Sequence, residues 1–318
     1  MRKRTFALCL AWLFGMQLGL PHFVLAADEA GRRSLWIDVC RGEPLRYEDV
    51  LDDLAGVGVV YLGERHTIQQ HHDLQAQILT DLAKRGKPLV LGLEQLESVQ
   101  QPVVDRYNRG KITFDQMAEA VEWPKLWPNY KQYQPIVEAA HKFKIPVLGL
   151  NARATTIRQV ARGGGLEQLD QKTRAELPKH IQLDDPLYRK LLNLQMMVHM
   201  AANEETLRPM IEAQIARDET MASTLCSFLS SEAGRGRSAI VLCGSGHVSY
   251  GQGTPTRVRR RLPQIKDRIV LFSESGDTVL SPQELAAARA IEITHEQLRQ
   301  IDRPIADYLH ETSLKEEK

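Results

Sequence analysis

Two short tetrads carry the chemistry of this chain: Gly63-Glu64-Arg65-His66 and Gly244-Ser245-Gly246-His247, each placed directly after a run of apolar and β-branched residues. A polar side chain displayed where a buried strand ends sits where open α/β sheets gather ligand chemistry, at the carboxyl edge of the strands. Val57-Gly-Val-Val-Tyr-Leu62 and Ser238-Ala-Ile-Val-Leu-Cys243 read as strands buried on both faces, and each breaks at a glycine. Glu94 closes a third run, Pro88-Leu-Val-Leu-Gly-Leu93, and Asn151 a fourth, Ile145-Pro-Val-Leu-Gly-Leu150. One rim would then present His66, His247, Glu64, Glu94 and Asn151, drawn from distant parts of the chain.

Imidazole suits zinc, copper and iron, while carboxylates suit harder ions, so Glu64, His66, Glu94 and His247 form a candidate divalent-metal set. A metal held there would activate water, with a glutamate as general base for peptide or ester hydrolysis. The same histidines could instead support another ligand or bond only to backbone groups. His71 and His72 are adjacent, about 100° apart on a helix, and cannot both face one ion. His71 shares a face with Gln75, which points to a supporting role for one of the pair and a solvated position for the other.

The elements that must position these residues follow from hydrophobic periodicity. Apolar runs at Ser34–Val39, Val57–Leu62, Pro88–Leu93, Ile145–Leu150, Ala239–Cys243 and Arg268–Phe272 alternate with helix-like stretches. The pattern predicts an α/β fold, mainly a parallel sheet covered by helices on both faces. Residues 152–237 hold no strand pattern and form a helical insertion before the fifth strand, with helical spacing over Leu187–Met200 and Leu207–Leu229. This insertion is expected over the rim, as a cover or a dimer face. The aromatic segment Trp123–Tyr133 reads as a plug at a core edge. Ala306–His310 can pair as an edge strand before a charged tail, 312–318.

The first 26 residues carry Arg2, Lys3 and Arg4, an apolar stretch to Leu20 interrupted by Gly15 and Gly19, and Val24-Leu25-Ala26 before a polar start. That is a secretory signal cleaved after Ala26, which makes the protein periplasmic or otherwise exported. The apolar stretch is too short for a comfortable membrane span. Cys9 lacks the small residues that precede a lipid-modified cysteine, so anchoring as a lipoprotein is not expected. The rest, 27–318, reads as one domain. The whole chain holds 41 Lys and Arg against 40 Asp and Glu, and this near-neutral balance argues against nucleic acid as partner. Beyond the signal, Cys40, Cys226 and Cys243 leave the disulfide pairing open, and three small buried thiols are the simplest reading.

Taken together, these landmarks resemble the ChaN-type haem-binding uptake family, within the wider Tiki superfamily that also holds metal-dependent peptidases and erythromycin esterases. The resemblance runs through Leu62-Gly-Glu-Arg-His66 with His71, His72 and Gln75, then Gly92-Leu-Glu94 with Gln101-Pro102, and Trp123, Trp127 and Tyr130. It continues through Val147–Asn151, Ala213–Asp218 with Met221-Ala222, and Gly244–His247 with Tyr250-Gly251, Gly253, Pro255 and Arg257. Thr67 departs from the acidic residue frequent after the first histidine.

The resemblance implies a homodimer that holds two haems face to face, with tyrosine on the iron and histidine in support. It implies iron acquisition, with haem-uptake receptor or transporter components as partners. Tyr250 is then the candidate iron ligand, an anionic oxygen suited to ferric haem, with Tyr188 as another open choice. His247 and His66 become supports or ligands, His199 and Met200 candidate porphyrin contacts, and Arg257 a candidate partner for a haem propionate.

Overall fold

In the computed structural model, residues 26–27, 33–199, 204–275 and 303–313 are described. All of the expected 1–26 leader except Ala26 lies outside them, as do Met200 and residues 314–318 of the expected tail. Among the described residues nine strands form one sheet: β1 (Ala26–Ala27), β2 (Arg33–Asp38), β3 (Glu43–Leu45), β4 (Val59–Glu64), β5 (Leu89–Glu97), β6 (Val147–Asn151), β7 (Ser238–Gly244), β8 (Asp267–Ser275) and β9 (Tyr308–Ser313). The spatial order is β1-β2-β9-β8-β4-β7-β5-β6, with β3 paired to β2. From β9 across to β6 every pairing is parallel, whereas β1, β2 and β3 make an antiparallel wing.

The central strands are apolar on both faces because both faces are covered. Along β4, Val60 and Leu62 enter one core, under helices Tyr47–Ala55, Gln69–Lys84 and Gln134–Lys142. Val59 and Tyr61 enter the other, under helices Glu204–Ser230 and Thr254–Arg261. The period of two that separates them is the pleat itself. Each fully buried leucine, such as Leu62, contributes about 1.5–3 kcal/mol relative to exposure.

Four helices fill the expected insertion: Ala154–Arg162, Gln171–Arg174, Pro186–His199 and Glu204–Ser230. The outer edge of β6 is closed by side chains rather than by another strand. Asn108 donates to the carbonyl of Val147 at 2.9 Å and accepts from its amide at 3.0 Å, and Gln101 accepts from the amide of Gly149 at 2.9 Å. Amides standing in for a neighbouring strand leave no open hydrogen-bond template there.

Two boundaries differ from expectation. β9 is not an edge strand: it lies between β2 and β8 and holds Tyr308, His310 and Thr312 buried. It also runs to Ser313, so Thr312 and Ser313 belong to the sheet rather than to a solvated tail. Among the described residues no helix is long and apolar enough to cross a membrane.

Candidate functional site

The two tetrads meet. β4 and β7 are adjacent and in register, with Glu64 opposite Gly244, and β5 flanks β7 with Leu93 opposite Leu242. Glu64, His66, Glu94 and His247 therefore converge at the carboxyl ends of three neighbouring strands.

Glu64 is the hub of one half. It is buried, and one carboxylate oxygen accepts from His66 Nδ1 at 2.9 Å, from the Gln95 amide at 3.0 Å and from the Tyr133 hydroxyl. The other oxygen accepts from the Gln75 amide at 2.6 Å and lies 3.3 Å from His72 Nδ1. Burial alone would raise the Glu64 pKa, but the hydrogen bonds from His66, His72 and Tyr133 outweigh it and hold the group at about 2. His72 faces acceptors on both ring nitrogens, since its Nε2 lies 3.1 Å from the carbonyl of His66. Only the doubly protonated ring can donate at both positions, and its pKa accordingly rises despite burial, through Glu64.

His66 is the accessible member, with its side chain 34% exposed. Because Nδ1 donates to Glu64, Nε2 is the nitrogen presented to the rim. Its ring meets Trp127 edge-on at 4.8 Å, and Asn129 donates to its backbone carbonyl. A Cβ on Gly244 would come within 2.8 Å of His66 Nε2, so this glycine leaves the space the imidazole occupies. Gly244 has φ −58°, which any residue adopts. Gly244→Ala should therefore keep the fold, with a melting temperature within about 3 °C of wild type, while displacing the ring. Loss of the native His66 imidazole resonance in a histidine NMR spectrum checks it.

His247 is the hub of the other half, 6% exposed. Its Nδ1 lies 2.8 Å from Asp218 and its Nε2 3.2 Å from Glu94, so both nitrogens face carboxylates and both must carry protons. Desolvation would lower its pKa, yet Glu94 and Asp218 raise it to about 10. Glu94 in turn is held well below the usual carboxylate range: burial opposes this, and His247, His66 and the Gly244 amide at 2.7 Å overcome it. Asp218 also accepts from Thr254 at 2.8 Å and from the buried Tyr188 hydroxyl at 2.6 Å.

Tyr250 lies three residues past His247 in a left-handed backbone conformation, φ 59° and ψ 18°. A non-glycine residue held there is strained by about 1 kcal/mol or more, and such strain gathers at functional positions. Its half-buried ring packs on the apolar cluster of Tyr188, Leu191, Leu192, Leu207, Ile211 and Ile215, from the two long helices of the insertion. The hydroxyl makes no hydrogen bond to a described residue.

Three expectations need correction. Arg257 is fully buried, stacked on Tyr188 at 4.8 Å, donating to the carbonyl of Gly253 and 3.3 Å from Glu219. An external propionate would have to displace Glu219 or Asp185 to reach it. His247 is no free ligand either, because both ring nitrogens are engaged. Neither His71 nor His72 is solvated: both are buried, and it is His72 that supports the site, whereas His71 accepts from the amide of Arg65. The backbone of His199 lies at the end of helix Pro186–His199, with its side chain outside the described residues, as is all of Met200.

The sequence reading missed as site residues Asp218, Gln95, Tyr133 and Gln214, whose side-chain amide lies 3.0 Å from His247 Nδ1. Gln214 and Asp218 were visible as two polar side chains, one turn apart, on the otherwise apolar face of a long helix. The aromatic segment divides: Trp123 plugs the core beside Phe114 and Tyr133, while Trp127 stands at the rim against His66.

The divalent-metal set fits this arrangement poorly. A metal would have to strip the proton from an imidazolium held between two buried carboxylates, and among the described residues no group of three or more His, Cys, Asp and Glu side chains is placed to hold an ion. What the fold and the rim define is a helix-covered, mainly parallel α/β protein of the Tiki type, with two carboxylate–imidazole hubs and a strained tyrosine at the carboxyl edge. The chain belongs to the haem-binding uptake family of the Tiki superfamily typified by ChaN, which it matches over residues 50–258.

Among solved structures it is similar to the ChaN of Campylobacter jejuni, described as binding haem cofacially, at 21% identity and TM-score 0.62, over 87% of this chain and 96% of that one. A succinoglycan biosynthesis protein is similar at 11% identity and TM-score 0.46, over 85% of this chain and 92% of that one. An erythromycin esterase in its open conformation follows at 13% identity and TM-score 0.43, over 75% of this chain and 77% of that one. No curated protein sequence matches the chain.

Proposed function

We propose that this protein is an exported haem-binding protein of iron uptake that takes ferric haem through the phenolate of Tyr250. The observation that carries the reading is the placement of Tyr250: a strained, half-buried phenol with no hydrogen bond to a described residue, set against an apolar helical wall. Bound haem would supply a ferric iron, for which an anionic oxygen is a suitable ligand. Leu191, Leu192, Leu207 and Ile211 are themselves buried, so they back the phenol from behind and leave a macrocycle to its exposed side, and the backbone of His199 ends the same helix as Leu191.

His247 acts on this site as a positioning residue, holding the strand-to-loop turn through Asp218 and Glu94, rather than as an iron ligand. Arg303 takes the propionate-pairing role expected of Arg257. It is exposed and packs against Gly251, next to the tyrosine. The exposed side of Tyr250 is covered by a second copy of the chain, in a homodimer that delivers haem to receptor or transporter components.

Hemin titration tests the reading. The wild-type chain should develop a Soret band with a tyrosinate-type charge-transfer feature, and Tyr250→Phe should lose that feature and bind at least about tenfold more weakly. Sedimentation with and without hemin should show the dimer. A Soret spectrum identical in wild type and Tyr250→Phe would remove Tyr250 as the ligand.

A further inference from the structure

The end of the sheet opposite the rim carries a second opening. A cleft of about 800 Å³ lies along edge strand β6, where the chain enters β6 and β7. That volume falls in the range of small-molecule sites. Its floor is apolar, made by Pro146, Leu148 and Phe228, and its margin is cationic, made by Arg109, Lys142, Lys144 and Arg237.

Those four cations face a single carboxylate, Asp105, whose oxygen accepts from the Gln101 amide. None of them has an ion-pair partner among the described residues. Arg237 donates to the backbone carbonyls of Leu89 and Ala233, and the Lys142 ammonium lies over the Phe143 ring at 5.9 Å. His141 stands in the same margin, exposed, with its ring 5.0 Å from that of Tyr107. The end of helix Gln134–Lys142 is locked by Lys144 donating to the carbonyl of His141 and Ile145 to that of Ala140, so His141, Lys142 and Lys144 project from one rigid turn.

We infer that this cleft is a second porphyrin site, separate from Tyr250. The occupant is a flat apolar dianion whose carboxylates meet the Arg109, Lys142, Lys144 and Arg237 margin, with His141 as the side chain available to a central metal. Charge complementarity selects it. A neutral ligand would make no use of the cationic margin, and a free phosphate would leave the apolar floor bare. The choice of a porphyrin among amphiphilic dianions rests on the haem reading of the chain, whereas the cleft's chemistry stands without it.

The test uses the full chain, titrated with hemin and with iron-free protoporphyrin. Wild type should take two equivalents of hemin, and Tyr250→Phe should still take one with a histidine-type spectrum. Arg109→Glu with Lys142→Glu, both exposed and remote from the rim, should weaken the second equivalent by about tenfold or more while leaving the tyrosinate feature intact. That second equivalent should also weaken steadily between 50 and 500 mM salt, because exposed ion pairs are screened.

Protoporphyrin dimethyl ester, with its carboxylates masked, should bind the cleft at least tenfold more weakly than the free acid. His141→Ala should erase the histidine-type spectrum and spare protoporphyrin binding. A double variant that titrates as wild type overturns the cleft. So does equal binding of ester and free acid, or capture of phosphatidylglycerol vesicles with the same charge dependence and no porphyrin. Failure of the Tyr250 reading is distinct: there Tyr250→Phe changes nothing, and the double variant still removes the bound porphyrin.

Discussion

Glu64→Ala is expected to lower the melting temperature by roughly 10 °C or more. Removing one partner of a buried charged network costs about 3–5 kcal/mol, because the groups left behind stay buried without compensation. Here they are many. Tyr133, Gln75 and Gln95 would lose their acceptor, and the His72 imidazolium would lose its counter-charge. For a domain of this size each kcal/mol corresponds to about 2–4 °C.

Glu64→Gln does not repair the defect. Both carboxylate oxygens face donors, so whichever end carries the amide nitrogen points a donor at donors. Asp115→Ala serves as the contrast, since its pairing with Lys131 is exposed on both sides and is worth under about 1 kcal/mol. Thermal denaturation of the three variants decides the matter. A shift below about 3 °C for Glu64→Ala would mean the hub is not what holds the β4 end together.

The reach of the sequence is clear from particular residues. β4, β5, β6, β7 and β8 were legible because strands buried on both faces leave continuous apolar runs, and the breaks at Gly63 and Gly244 marked the rim. That Glu64 and His247 share one lip also followed, since parallel strands place all their carboxyl ends together. What did not follow was pairing. Asp218 reaches His247 from a helix 29 residues earlier, and Tyr133 reaches Glu64 from a short 3-10 turn 69 residues later.

Those contacts depend on how helices sit on the sheet, which periodicity does not encode. Arg257 shows the same limit from the other side. An arginine in a basic run reads as a solvated cation, yet the buried Glu219 draws three arginines and places one of them out of reach of solvent. β9 was misread as an edge because its central place depends on a strand, β2, more than 250 residues away.

The second large effect is the alkaline limb of the stability profile, and it comes from His247. Its pKa stands at about 10 in the folded protein against the ordinary 6.5, so its contribution is fully present below pH 6.5 and drains away as pH rises through 10. The whole interval corresponds to about 5 kcal/mol, with a slope of about 1.4 kcal/mol per pH unit inside it. Glu64 gives the opposite limb. Its folded pKa of about 2 makes a contribution that is present above pH 4.5 and lost as pH falls towards 2, about 3 kcal/mol in all.

The measurement is urea unfolding between pH 6.5 and 9. Above that window the thiols of Cys226 and Cys243, kept protonated by burial, add their own loss when unfolding exposes them. His66 and His72 are raised as well and push in the same direction, so wild type should lose stability steadily across the window. His247→Gln should start lower at pH 6.5, because Glu94 and Asp218 lose their shared cation, and then fall less steeply by about 1.4 kcal/mol per pH unit. Parallel slopes in the two proteins would show that His247 is not the cation between Glu94 and Asp218, and its exclusion as an iron ligand would fall with that result.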